Sequence, residues 1–598
     1  MALFTPSASP AVIVKEIDLT GVVPNVQTST GAIVGNFGWG PVGQATLVSD
    51  ETGLVSTFSA PTKDNSVDFH SAAYFLRYSS SMYVVRETTA AAKNAQGVNT
   101  IRDTEETSFF VQPTHNTVDG FRDASLDSND GAFIAKYPGV LGNSLRVSMV
   151  GTSDSANSAT NAFNAWAYKG SFDGATGTSA FAETLGASND EIHIAVVDRD
   201  GGITGVANTV LETFPFLSVA SNAKNADGTS NYYKDVLTDR SQWIYAGVPH
   251  VGLTDSADHG DFGAGSNNWG NKAIEGAAVD FKTNATNSQQ SQWDFTGGVT
   301  DTSLATGDYA TGYDQFNDAD NIEIDFLIMP ECADQSTATT VVNDLVSIAE
   351  ARKDCVAVAS PDRNAAITLG TNTAVKTTAD TYTKSSYLVQ DNNYLKVFDK
   401  YNDQYVKIPA ASSTAGLMAA TDLVAAPWFS PAGARRGRYL GITDIVLSST
   451  KTERDTLYKA GINPIANIPG QGVMLFGDKT NLARPSAFDR INVRRLFLAI
   501  ERAIGIAGRN VMFEFNDEFT RAEFVNIVEP FLREIQGRRG ITDFKVVCDA
   551  TNNTPAVVDR NEFIASIFVK PARSINYVTL NFVAVRSGVE FEEVIGTV

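Results

Sequence analysis

Two glycine-rich runs come nearest to a nucleotide-binding pattern. GWGPVG (38–43) has GxGxxG spacing, which in a dinucleotide site sets a pyrophosphate against the N-terminus of the helix that follows. Here Pro41 and the strand-like QATLV follow, so the run reads as a turn between two strands. In GQGVMLFGDKT (470–480) Gly472 and Gly477 have P-loop spacing, but Asp478 stands before Lys479 and Thr480. Its carboxylate would repel a phosphate.

The five histidines, His70, His115, His193, His250 and His259, include no HExxH or HxxxH pair, so a zinc hydrolase site has no local support. His70 falls on a predicted helix as a packing or surface residue. DSADHGD (255–261) could turn Asp255, Asp258 and Asp261 toward calcium, yet it lacks EF-hand spacing and the closing bidentate Glu, and it reads as a solvated loop. No GxSxG elbow occurs. Cys332, Cys355 and Cys548 are far apart with no CxxC pair, which excludes a disulfide scaffold or cysteine-rich zinc site and predicts buried, reduced thiols. The residues therefore predict no catalytic group, no cofactor and no metal.

The elements that would position such groups fit an α/β chain. GAIVGNF (31–37) and MYVVRE (82–87) read as strands around a helix in VDFHSAAYFLRY (67–78). IEIDFLIM (322–329), TATTVVNDLVSIAEARK with Val341, Leu345 and Ile348 on one face, and CVAVA (355–359) make a βαβ unit. Thr450 with Glu453, and Thr520 with Glu523, have capping-box spacing before helices, the second of which stops at Gly537. FKVVC, EFIASIFVK and SINYVTLNFVAV end the chain in period-2 segments rich in β-branched and aromatic residues.

At 598 residues the chain has room for about four domains, each able to bury a core without covalent staples. A hydrophobic fraction of 43% with 19% charged residues is a globular composition. Net charge −22 disfavours contact with nucleic acid or an anionic membrane surface. The N-terminus lacks a basic region followed by an apolar one, and no run approaches 18 uncharged apolar residues, so neither a secretion signal nor membrane insertion is expected. The average hides an asymmetry. Residues 98–320 hold 29 Asp and Glu against 11 Lys and Arg, a local net of −18, whereas residues 430–598 hold 19 against 22, of which 17 are Arg. Small polar residues with spaced aromatics at 151–186 predict turns and short strands, and 255–271 reads as a surface loop. There is no internal repeat.

The runs APWFSPAGARRG (426–437), AGINPIANIPGQGVMLFGDKT (460–480), FDRINVRRLFLAIERAI (488–504) and VKPARSINYVTLNFVAV (569–585) resemble contractile tail sheath proteins of myovirus-type bacteriophages. SPAVIVKEIDL and GAIVGNFGWGPVGQATLVS resemble the opening of the same family and AKYPGVLGNSLRV (135–147) a segment entering its variable region, while the rest of roughly 98–320 has no match, as expected for peripheral insertions that differ between sheaths. The resemblance implies a multidomain α/β (α+β) fold: a mixed core from 21–97 and 321–573, an inserted β-rich peripheral region at 98–320 of one or two domains, and arms at 1–20 and 574–598.

It further implies a homo-oligomer of stacked hexamers forming a helical sheath around a tail tube protein, with baseplate and tail terminator proteins as further partners. Such a sheath sits in the virion tail after assembly in the host bacterial cytoplasm, and contracts to drive the tube through the host envelope. Arm strands adding to a neighbour's sheet would use Val12, Val14 and Ile17 at one end and Ile575, Tyr577, Val578, Leu580 and Phe582 at the other. Arg435, Arg436, Arg438, Arg494, Arg495, Arg538 and Arg539 would re-pair with carboxylates between subunits, each exposed pair contributing about 0–1 kcal/mol. Two rival readings are an α/β hydrolase with an acidic insertion and a receptor-binding tail protein.

Overall fold

Every residue of Gly31–Gly35 is buried, the pattern of a strand covered on both faces. It pairs in parallel with Phe326–Ile328 on one side and Met82–Arg86 on the other. Val356–Ala359 and Leu388–Gln390 extend the sheet in parallel, and Thr46–Val48 closes the far edge antiparallel to Met82–Arg86. The winding direction reverses between Gly31–Gly35 and Phe326–Ile328, which makes this a doubly wound sheet. The computed structural model describes residues 29–89, 91–99, 132–151, 163–247, 272–273, 290–301 and 303–576.

The βαβ unit takes the form the sequence predicts, with helix Gln335–Arg352 joining Phe326–Ile328 to Val356–Ala359. Asp334 starts the helix by accepting a hydrogen bond from the Thr337 amide, and Lys353 ends it in the left-handed conformation. Val341, Leu345 and Ile348 pack into one cluster with Ala32, Val34, Leu327 and Ala357, joined by Tyr309 and Tyr313 of helix Thr306–Asp314. Gly31 points to the opposite face. There helix Ser66–Leu76 brings the Phe75 ring so close that a Cβ on Gly31 would lie 2.7 Å from it.

Between Met82–Arg86 and Phe326–Ile328 the chain builds a seven-stranded sheet, in the order Thr209–Ser218, Glu191–Asp198, Leu145–Gly151, Gln290–Thr296, Gln96–Asn99, Phe133–Ala135, Ile244–Ala246. Every pairing in it is antiparallel. Its core gathers Phe133, Val147, Ile194 and Trp293. At its base the outgoing and returning chain run side by side, Lys93 and Val299 exchanging both backbone hydrogen bonds at 3.0 Å. A three-stranded sheet, Tyr394–Asp399 between Gln404–Pro409 and Asp444–Ile445, and a hairpin, Ile465–Ile468 with Gly472–Leu475, follow.

The described residues divide into two compact units, one of 29–420 with 432–483 and one of 421–431 with 484–576. The second unit is built on helices Ile491–Arg509 and Glu518–Gly537 and the antiparallel pair Ile541–Val547 and Ser566–Pro571. Its core holds Trp428, Leu496, Ile500, Phe524, Val528 and Leu532. Among the described residues no helix is long and apolar enough to cross a membrane.

Two local expectations need correction. The capping box forms at Thr450 and Glu453, but the last long helix begins earlier than the Thr520 and Glu523 spacing suggests. Asp517 is its N-cap, accepting from the Thr520 amide at 2.8 Å, and Thr520 sits inside the first turn. An aspartate cap outcompetes the threonine, and the acidic first turn suits the helix dipole. The described part of 151–186 beyond Gly151 forms short helical turns, Lys169–Ser171 and Ala180–Thr184, in place of short strands. Ser179 caps the second by accepting from the Ala182 amide.

Candidate assembly surface

The residues that resembled catalytic motifs are occupied structurally. The 38–43 run is a turn between Gly31–Gly35 and Thr46–Val48, and Arg86 Nη1 donates to the Gly40 carbonyl at 2.8 Å. In the 470–480 run Gly470 and Gly472 have φ of +79° and +83° and turn the hairpin. Lys479 Nζ donates to the Tyr458 carbonyl at 2.9 Å, and no helix follows to cradle a phosphate. His193 is buried. Its Nδ1 accepts from the Phe216 amide at 3.0 Å, leaving Nε2 to donate to the Gly174 carbonyl at 2.8 Å. Burial lowers its pKa, so it is a neutral packing group. His70 lies buried on helix Ser66–Leu76, 3.3 Å from Asp399. All three cysteines are buried, and none forms a disulfide. Among the described residues no three His, Cys, Asp or Glu side chains are placed to hold a metal ion. His115, His250, His259 and the 255–261 loop lie outside the described residues.

Of the residues named for arms, Ile575 is described and is 84% exposed. Val12, Val14, Ile17, Tyr577, Val578, Leu580 and Phe582 lie outside the described residues. The second unit carries strand edges among its described residues. Ile541–Val547 and Ser566–Pro571 form a two-stranded sheet, so among the described residues each strand has one edge with no strand beside it. Val546, Ile567, Phe544 and Val569 pack into the unit's core, while Lys545, Phe568 and Lys570 face outward. A two-stranded sheet backed by a helix is stable, and its open edges remain templates for further strands.

The seven arginines separate by environment. In the first unit Arg435 and Arg438 are exposed and Arg436 is half-buried; burial first, then the neighbouring Arg435 charge, lowers the Arg436 pKa. In the second unit Arg494 and Arg495 are buried. The Arg494 guanidinium lies 4.1 Å from the centre of the Phe488 ring. Arg495 grips Asp422 with both terminal nitrogens, Nη1 to Oδ1 at 2.7 Å and Nη2 to Oδ2. Its charge is thus met by a carboxylate of the same subunit. Arg538 and Arg539 are exposed at the end of helix Glu518–Gly537. Arg538 stacks 5.0 Å over Trp428 and lies 3.5 Å from Glu534.

Sequence reasoning did not single out the loop between the two long helices of this unit. There Met512, Phe513, Phe515 and Phe519 are 57%, 100%, 83% and 76% exposed. The signal was present as MFEFNDEF (512–519), aromatic residues alternating with acids between two amphipathic helices.

These features define a multidomain α/β protein whose second unit presents, among the described residues, open strand edges and exposed apolar groups. A phage tail sheath protein central-domain model matches residues 304–481 and a phage tail sheath C-terminal-domain model matches residues 483–584. The tail sheath protein of Enterobacteria phage T4 is 32% identical, the match covering 98% of this chain and 99% of that relative. The tail sheath protein of Salmonella phage ViI is also 32% identical, over 99% and 98%. The chain belongs to the phage tail sheath protein family and is a subunit of a contractile tail sheath. The crystal structure of a sheath tail protein from Listeria innocua shares the fold, with a TM-score of 0.51, 11% identity, and coverage of 91% of this chain and 96% of that one.

Proposed function

We propose that the subunit polymerises as stacked hexameric rings around a tail tube, between a baseplate and a tail terminator, and that the lattice contracts to drive the tube through the host envelope. Residues 1–20 and 574–598 serve as arms that add strands to the sheet of a neighbouring copy. Residues 98–320 form an outward peripheral region inserted into a core of 21–97 and 321–573. The side-by-side run of Lys93 and Val299 at the base of the seven-stranded sheet supports that division. The work is mechanical, with no catalytic residue, no cofactor and no direct contact with nucleic acid. The sheath belongs to the virion tail and is assembled in the host cytoplasm.

The observation that carries this reading is the two-stranded sheet Ile541–Val547 and Ser566–Pro571 with both outer edges open among the described residues. Backbone donors and acceptors along an open edge are completed by a strand from another chain at about 0.2–1 kcal/mol per cross-strand pair, and each copy in the lattice repeats the gain. Truncation after Arg573 tests it. A folded monomer by circular dichroism and light scattering, forming no rings or tubes in negative stain, supports strand exchange. Tubes that still form, or loss of secondary structure, would overturn it.

A further inference from the structure

The second unit carries exposed apolar groups at both ends of one helix. Glu518–Gly537 has 20 residues, a length of about 30 Å. At its N-terminal end the exposed Phe513, Phe515 and Phe519 alternate with exposed Glu514 and Glu518. Phe513 has φ of +72°, a left-handed conformation that disfavours any side chain. The backbone there holds a fully exposed ring in water, with no packing return from the described residues.

The other end has the opposite sign. Arg539 and Arg573 are exposed, beside Leu423 at 70% and Val424 at 81% exposure. Two hydrogen bonds gather these groups at the helix end, Arg538 Nη2 to the Ala425 carbonyl at 3.2 Å and the Ala572 amide to the Gly540 carbonyl at 3.0 Å. The helix dipole accounts for acids at the start and arginines at the finish. It does not account for the five exposed large apolar side chains Phe513, Phe515, Phe519, Leu423 and Val424 divided between them.

We propose that the aromatic, acidic end of this unit docks on the aliphatic, arginine-bearing end of the same unit in a second copy. The two patches complement each other in charge and in apolar character, and they lie on opposite ends of one rigid element, so the contact is head to tail. A heterologous contact of this kind closes into a ring or propagates as a helix. It rests on the assembly reading above and adds to it a side-chain contact that uses no strand edge. Apolar burial supplies the affinity, and the charges set the register.

Three full-length variants test it: E514K/E518K, R539E/R573E, and Phe513→Gly. Assembly is followed by sedimentation and negative stain, and folding by thermal melting. The expected result is a rise of about tenfold or more in the concentration needed for assembly in each variant, with recovery when all four charges are swapped in one chain. Phe513→Gly should melt no lower than the parent, because glycine suits the left-handed backbone; a purely structural Phe513 would lower the melt. Variants that assemble like the parent, or a folded four-charge swap that does not recover, would overturn the contact while leaving the sheath reading intact. Rings that form normally but no longer hold tube protein would reassign the loop to the tube and overturn it too. A parent chain that never forms rings or tubes overturns the assembly reading, and this contact falls with it.

Discussion

Arg86 donates through Nη2 to the Pro138 carbonyl at 2.6 Å, while its Nη1 holds the Gly40 carbonyl. The side chain is fully buried at the C-terminal end of Met82–Arg86, the last strand before the chain leaves the doubly wound sheet. One guanidinium therefore ties the glycine turn of the parallel sheet to the entry of Leu145–Gly151 in the antiparallel one. Burial pushes its pKa down to about 9, with the Tyr137 and Glu87 charges opposing the shift.

Arg86→Met should remove both tethers at a cost of about 2–4 kcal/mol, since two hydrogen bonds from a buried charged donor are lost. The loss should be local before it is global. Hydrogen exchange should accelerate first in Phe133–Ala135 and Leu145–Gly151 while Phe326–Ile328 stays protected. Uniform acceleration across both sheets would contradict a tether at this point.

Regular elements were legible because periodicity needs no partner: Val341, Leu345 and Ile348 mark a helix face wherever they pack. Tertiary roles were less legible. Nothing in the sequence tells that Arg86 meets carbonyls 46 and 52 residues away, or that Arg495 turns inward to Asp422 across 73 residues. A pair such as Arg494 and Arg495 looks like Arg538 and Arg539 in composition. Only the packing of helix Ile491–Arg509 separates the buried pair from the exposed one. Thr520 and Glu523 misled because capping spacing is degenerate, and Asp517 three residues earlier is the better acceptor. The strand-rich end was read correctly for Ile541–Val547 and Ser566–Pro571, while SINYVTLNFVAV from Tyr577 onward lies outside the described residues.

The Arg495 and Asp422 pair should behave as a buried ion pair in a double-mutant cycle. Asp422→Leu removes the carboxylate that both terminal nitrogens of Arg495 grip at a side-chain exposure of 4%, and should destabilise the chain by about 3–5 kcal/mol. Arg495→Met with Asp422→Leu should recover most of that loss, because two apolar side chains replace two desolvated charges. Denaturant unfolding of Asp422→Leu, Arg495→Met and the double variant gives the coupling. Additive single and double effects would mean that the pair contributes nothing as a pair.

The cap assignments predict unequal penalties at two similar sequence patterns. Asp517→Ala should cost about 1 kcal/mol, because the Thr520 amide loses its acceptor. Glu523→Ala should cost a few tenths of a kcal/mol at most, since Glu523 lies beyond the capping turn. At the other box, Thr450→Ala should cost about 1 kcal/mol, with Glu453 returning its carboxylate to the Thr450 amide at 2.8 Å. Thermal melts of the three variants separate a cap at Asp517 from one at Thr520.

The doubly wound sheet should also make stability fall as pH rises toward neutrality. Asp68 is half-buried on helix Ser66–Leu76, and its pKa is pushed up to about 7, mainly by loss of solvation and further by the Glu331 charge, against the hydrogen bond it accepts from the Asn36 amide at 2.8 Å. Glu87, at the end of Met82–Arg86, is raised to about 7 by burial and by the Asp308 charge. A carboxyl whose folded pKa lies above its unfolded value binds its proton more tightly when folded. Its contribution is therefore complete below pH ~4, the unfolded value, and is lost as pH rises through about 7. Each such group has a limiting slope of about 1.4 kcal/mol per pH unit in that window. Asp68→Asn keeps an oxygen for the Asn36 amide and cannot ionise, so it should flatten the profile: close to the parent at pH ~4 and more stable than the parent at pH ~8. Melting temperature measured from pH 4 to pH 8 on both proteins decides it. A variant that loses stability equally at both ends would show that Asp68 is already ionised in the fold, and that its carboxylate is what the Asn36 amide requires.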